Sequence, residues 1–414
     1  MRTVKTARLL LLSGVATAAL VTQAMALDAQ SFVDRLSTVY KTVGYDFAFG
    51  TATLNGDTIT VDGVTLGFST EPALDPMHFD AEITFSGVAE AADGSYTVQS
   101  VTIPDIDSEF GGEDGDPVGH VTLSDVRADN LYLPPGDTVP AIAIMQLVGS
   151  ISTGALHLTR DGEHVVSIDS MEAVTHFNPS QGNADLVDLK STLAISGIAL
   201  DLSSVGEEDP SAGAVIEALG LSTINGDITQ DMSWTMADGR MVVEEFLFDF
   251  ADVGALNIRA DITGFTADVL DQLYAMQASM GGSEMTEEQA QAQMMSGMAL
   301  MQGVSIASAS VRYDDASLAP KLLDFFAASS GADRAQFVEG LKTMLPAMLA
   351  ETGIPALNDI VVPPVSAFLD DPQSLEVKVA PPSPTSLLVL MAAAANPAGL
   401  ITALGLAVEA NTAD

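Results

Sequence analysis

ITVDGVTL, residues 59–66, reads apolar, polar, apolar, two polar, apolar, polar, apolar. The same pattern recurs at Tyr96 (YTVQSVTI), Val121 (VTLSDVRA), Val166 (VSIDSMEA) and Val311 (VRYDDASL), with looser copies at Leu193 (LAISGIAL) and Met241 (MVVEEFLF). In a chain that is 47% hydrophobic, roughly one or two strict copies would arise by chance. Each half alternates as a strand does, but the two halves are out of phase. Ile59 and Val61 point to one face, and Val64 and Leu66 would point to the other unless one residue were inserted into the ladder. A β-bulge at Asp62-Gly63 supplies that insertion and returns all four to one face. Repeated bulges bend a sheet, so the expected fold is a trough or partial barrel. A sandwich whose two layers take one half each is the alternative.

Turn signals agree. Asn55-Gly56, Asp93-Gly94, Asp161-Gly162 and Asp238-Gly239 each separate strand-like runs, as hairpin turns do. Their spacing is irregular, which excludes a fixed-period solenoid. Ahead of the strands, Asp28–Val43 reads as an amphipathic helix with Phe32, Leu36, Val39, Tyr40 and Val43 on one side, stopped by Gly44. Residues 104–120 and 203–212, acidic and glycine-bearing, read as surface loops. Trp234, Phe246, Phe248, Phe250 and Phe265 are expected to form the core of the last β segment.

After residue 265 the period becomes helical. Helices are expected over 266–280, 286–301, 316–328, 332–351, 354–369 and 384–395, with strands at 305–313, 374–379 and 406–409 joining the same sheet. The expected fold is α+β: a large, curved, mostly antiparallel sheet with C-terminal helices packed on it. Its divisions are 1–26, a leader; 27–265, a β-rich region with one N-terminal helix; and 266–414, a helix-rich region.

Residues 1–26 carry Arg2, Lys5 and Arg8, an apolar run from Leu9 to Val21, and Ala24-Met25-Ala26. That is the order of a secretory signal peptide, and it predicts export, to the periplasm rather than beyond the cell. The apolar stretch 386–410 is split by Asn396-Pro397 and reads as two packed helices, so no stable membrane span is expected in the mature chain. Net charge is −41, with 56 acidic against 15 basic residues. A field of that sign repels phosphates, which excludes nucleic acid as a partner. There is no Cys. Thiol catalysis, Cys-zinc sites, iron–sulfur clusters and disulfides are therefore excluded.

Catalytic signatures are missing. No G-x-S-x-G elbow, S-x-x-K pair, phosphate loop or H-E-x-x-H occurs, and no cofactor is expected. His157 and His164 flank the Asp161-Gly162 turn and would face each other across a hairpin, a weak basis for a metal. Asp105, Asp107 and Glu109 open a run of six acids within residues 105–116, which suits a solvated loop or a calcium site, although Phe110 occupies the position of the EF-hand glycine. Met294, Met298 and Met301 share one helix face. Core packing explains that spacing, an adaptable ligand-binding surface explains it too, and Cu(I) is a weaker third.

The order of leader, short helix, Gly44-x5-Gly50 and NGDTITVDGVTL (residues 55–66) resembles a group of uncharacterised exported alphaproteobacterial proteins. The kinked repeats are more remotely similar to the AsmA-like periplasmic proteins. That resemblance implies a curved sheet enclosing an apolar trough, and it carries no catalytic residue across. The chain differs from typical members in that no transmembrane anchor is expected. The reading is thus a periplasmic, non-enzymatic protein holding a lipid or other apolar ligand between sheet and helices. A structural or protein-binding envelope component, a hydrolase without a recognisable motif and a calcium-stabilised extracellular protein are the alternatives.

Overall fold

All strand pairings are antiparallel and join the strands into one sheet, in which most strands pair with the next along the chain and the rest pair across a skipped neighbour. A computed structural model describes residues 27–413 except 43, 69–75, 112–117, 137–146, 180–186, 281–286 and 395–396. The expected leader and the acids Glu113, Asp114 and Asp116 lie outside the described residues.

Helix α1 (Ala29–Lys41) comes first, capped by Asp28, whose carboxylate accepts the Ser31 N–H at 2.8 Å. Then follow β1 (Tyr45–Asn55), β2 (Thr58–Phe68), β3 (Met77–Ser86), β4 (Ala89–Glu90), β5 (Tyr96–Ile103), β6 (Ile106–Gly111), β7 (Val118–Leu123) and β8 (Val126–Leu133). Next are β9 (Ser150–Thr153), β10 (Leu156–Arg160), β11 (Glu163–Ile168), β12 (Ser170–Pro179), β13 (Val187–Asp201), β14 (Thr223–Thr235), β15 (Arg240–Phe250) and β16 (Gly254–Thr263). β17 (Ser305–Asp315), β18 (Ser374–Val379), β19 (Thr385–Ser386) and β20 (Leu406–Ala410) complete a single 20-stranded sheet. The sheet is large, antiparallel and not closed into a barrel, with helices at its C-terminal side. The two-layer alternative is thereby corrected: wherever both halves of a repeat are strand, they lie in one sheet.

The repeats do bend the sheet. Opposite β3, the register of β2 shifts between Asp62 and Val64, and Gly63 takes φ +81°. Ile59, Val61 and Val64 then contribute to one core, while Leu66 is half-buried beyond it. The pairing of β13 with β14 shifts between Ile195 and Ile198, around Gly197 at φ +68°. β15 shifts against β16 between Val243 and Leu247. In VTLSDVRA and VSIDSMEA the break is complete. Ser124-Asp125 divides β7 from β8, and Asp169 divides β11 from β12. Strands in line therefore pair as kinked wholes: β6 and β5 with β7 and β8, those with β10 and β9, and those with β11 and β12.

Two copies behave otherwise. YTVQSVTI is unbroken in β5, and the irregularity sits beside it, in Gly87 at φ +65° and Asn130 at φ +57°. VRYDDASL ends its strand at Asp315, because Asp315 accepts the Ser317 and Ala319 N–H groups and starts the next helix.

Residues 104–120 are corrected from loop to hairpin: Asp107 and Glu109 lie in β6, paired with Thr122 and His120 of β7. Residues 203–212 likewise enter helices Val205–Glu208 and Pro210–Leu219, the second capped by Asp209. The C-terminal helices are Ala267–Met280, Glu287–Gly303, Leu318–Ser330, Arg334–Ala350, Ala356–Asp370, Leu387–Ala394 and Pro397–Leu404. Two cores result. The larger packs α1 (Phe32, Val33, Leu36, Val39) against β2, β3, β5 and β8. The smaller gathers Leu189, Trp234 and Met236 with Phe265 and Leu270, and the Trp234 Nε1–H donates to the Phe265 carbonyl at 2.7 Å. Phe246 and Phe248 touch each other (4.5 Å between ring centres) but stand half-buried outside it.

Candidate functional site

An apolar cavity of about 340 Å³ lies between α1 and the concave side of the first strands. Leu36 and Tyr40 of α1 form one wall, and the others come from β1, β2, β3, β5, β6, β8 and β9. Alternation along β1 puts Tyr45, Phe47 and Phe49 on one face, where their rings stack in sequence (6.2 and 5.8 Å between centres). Phe47 and Phe49 line the cavity, and Tyr40 meets Phe47 edge-on at 5.4 Å. Phe79, Ile83 and Phe85 of β3 close the floor. Phe32, wholly buried, fixes α1 over that floor by edge contacts to Phe85 (5.1 Å) and Tyr96 (5.5 Å). Lys41 pairs with Asp46 at 3.1 Å and ties the end of α1 to β1.

Two lining residues carry polar groups. Arg127 stands between Val126 and Ala128, whose side chains face the core, so alternation turns its own side chain to the outer face. There it grips both oxygens of Asp129, two residues on, at 2.6–3.0 Å. Arg127 thus lends the cavity its backbone. Tyr40 is partly buried and brings a hydroxyl to the lining. Burial pushes its pKa up to about 12, which keeps it a neutral donor. A concave, preformed, almost wholly apolar space with a single polar group is suited to holding a chain of methylenes, and offers little to covalent chemistry.

The other candidates fall elsewhere. Met294 and Met298 are 65% and 44% exposed, Met301 is half-buried, and none lines the cavity. Core packing of that face is therefore corrected: helix Glu287–Gly303 buries Leu300 and meets helix Leu387–Ala394, leaving Met294, Met295 and Met298 in solvent. Asp105 accepts the Asp125 N–H at 3.0 Å in the kink, Asp107 is bound to His120 Nε2 at 2.6 Å, and Glu109 lies on β6 opposite His120. His157 and His164 do face each other, 6.2 Å between ring centres. Among the described residues no three His, Cys, Asp or Glu groups sit close enough to hold a metal ion.

The resolved pKa shifts have structural causes. Asp28, Asp93 and Asp201 are held below the usual carboxylate range by hydrogen bonds from serines two or three residues on. A second concavity, on β16–β18, is ionic: buried Arg312 binds Asp314 at 2.6 Å and approaches Glu376 at 3.5 Å, while Lys378 bridges Glu376 and Glu409. Each of these cations is held by carboxylates.

No helix among the described residues is long and apolar enough to cross a membrane. Residues 247–411 match a family model described as an uncharacterised protein. That stretch runs from the middle of β15 into the end of the chain and leaves the cavity outside it. A comparison with curated proteins finds none that matches.

Proposed function

We propose that this chain is an exported, periplasmic, non-enzymatic binding protein that shelters an apolar chain between α1 and the concave sheet. The observation that carries the reading is the cavity of about 340 Å³, whose side chains are hydrocarbon but for one phenol. Each methylene moved from water into such a space is worth ~0.8 kcal/mol, so a medium-length chain supplies enough binding free energy to be held without any ionic contact. Export is supported by the order of cationic, apolar and small residues in 1–26. Native mass spectrometry of the chain purified from its producing cells tests the reading. An added mass that leaves on mild activation and fragments as an acyl or alkyl compound is expected. A bare chain in repeated preparations, together with no uptake of added monodecanoylglycerol, would overturn it.

A further inference from the structure

We infer that the ligand of this cavity is an uncharged fatty compound whose polar end is a hydrogen-bond acceptor met by the Tyr40 hydroxyl, an ester or ether of a fatty chain being the fitting chemistry. The inference rests on the reading that the cavity holds an apolar chain, and it names the class.

Charge limits the head. Among the described residues, the ionisable ones that line the cavity are Arg127 and Tyr40. Arg127 is directed outward and already bound through its Nε and Nη2 to Asp129. A carboxylate or phosphate drawn into the lumen would therefore lose its hydration with no cation in exchange, a loss larger than several methylenes return. The surrounding protein, at net charge −41, opposes an anion further. An ammonium head fares no better inside, because no carboxylate lines the space among the described residues.

Tyr40 selects among neutral heads. Tyr40 brings the one side-chain hydroxyl among the described lining residues, and a ligand oxygen that reaches it gains a hydrogen bond in apolar surroundings. As a phenol it donates, so its complement is a carbonyl or ether oxygen.

Calorimetry on the full purified chain tests this with three ten-carbon ligands: monodecanoylglycerol, decanoate and decyltrimethylammonium, at about pH 8, where the acid is ionised. The ester is expected to bind at least tenfold more tightly than either ion. Tyr40→Phe should weaken the ester about fivefold, the net worth of one hydrogen bond, and leave binding of plain decane unchanged. Unfolding curves establish that the variant is folded. Either ion binding as tightly as the ester overturns the inference, and so does an ester preference indifferent to Tyr40→Phe. If decane and all three ligands fail to bind, the cavity reading itself fails, a result separate from these.

Discussion

Ala128 sits on the cavity floor, between Val101 of β5 and Ile151 of β9 in register. Replacing it by phenylalanine should abolish ligand binding while sparing the fold. The substitution adds six carbon atoms directed into the lumen. If they displace three to six ligand methylenes at ~0.8 kcal/mol each, binding loses about 2.4–5 kcal/mol. That is a fall of roughly fiftyfold to several thousandfold in affinity. The fold has room for the ring, since it enters the existing void of about 340 Å³ and displaces no packed side chain. Ala48 supplies the control. It lies between Phe47 and Phe49 on the opposite, exposed face of β1, so Ala48→Phe adds the same atoms outside the cavity. Titration calorimetry with monodecanoylglycerol on both variants, beside thermal unfolding, reads the outcome. Affinity of Ala128→Phe within threefold of the parent, at an unchanged midpoint, would show that the ligand does not lie in this cavity.

Other consequences of the structure are equally open to measurement. Phe32→Ala removes a wholly buried ring with two aromatic edge contacts and should cost about 3–5 kcal/mol; because the sheet is continuous, Trp234 fluorescence and far-ultraviolet dichroism should report one shifted transition, and two separate transitions would contradict it. Gly50→Ala should destabilise more than Gly63→Ala. A Cβ at Gly50 would stand 1.8 Å from the Asp62 carbonyl oxygen, costing about 3 kcal/mol, whereas at Gly63 nothing lies nearer than 3.8 Å and only the left-handed backbone costs, about 1–2 kcal/mol. Urea midpoints in the reverse order would show that close approach at the kink is unimportant. Alkaline titration should also be informative: Tyr40, raised from 10.0 to about 12, binds its proton more tightly folded than unfolded. Its stabilisation is complete below pH 10 and is lost as pH rises through about 12, so Tyr40→Phe should flatten stability in that window.

How far the fold is legible in the sequence depends on what each signal constrains. An out-of-phase pair of apolar halves has few solutions in a sheet buried on one face, so ITVDGVTL and LAISGIAL locate their bulges to the residue. YTVQSVTI shows the limit, since the pattern says that a kink is needed nearby but not which strand of the pair bends. The strands 374–379 and 406–409 and most helices are legible because their periods are clean. Acidity misleads at 104–120, where Asp107 and Glu109 are the solvent side of a strand whose other side carries Ile106. Methionine spacing misleads at Met294 and Met298, because a three-four spacing places residues on one face without saying what covers that face. The cavity is illegible for a related reason. Its walls come from one helix and seven strands, and each residue taken alone reads as ordinary core.

What converts that core into a cavity is a difference in length. A helix of 13 residues spans about 20 Å, while strands of 10 or 11 residues span about 35 Å. Placed along a bent sheet, α1 can cover little more than half of the apolar face that β1–β3 present. One side of the helix does so closely along its length: Phe32, Val33, Leu36 and Val39 are at most 4% exposed, against Ile59, Phe85 and Val98. On the side that carries Leu36 and Tyr40 the contact opens, and Phe47, Phe49, Phe79 and Ile106 are left facing a void. The kinks deepen that void. Each bulge turns the far half of its strand inward, so Val64 and Val126, just past their breaks, become walls instead of solvent-facing positions. A flat sheet of the same sequence would expose these residues, and a longer helix would bury them. The combination of the two leaves an apolar chamber that is built but not filled, and its closest-fitting complement is a chain of methylenes with one neutral oxygen at the Tyr40 end.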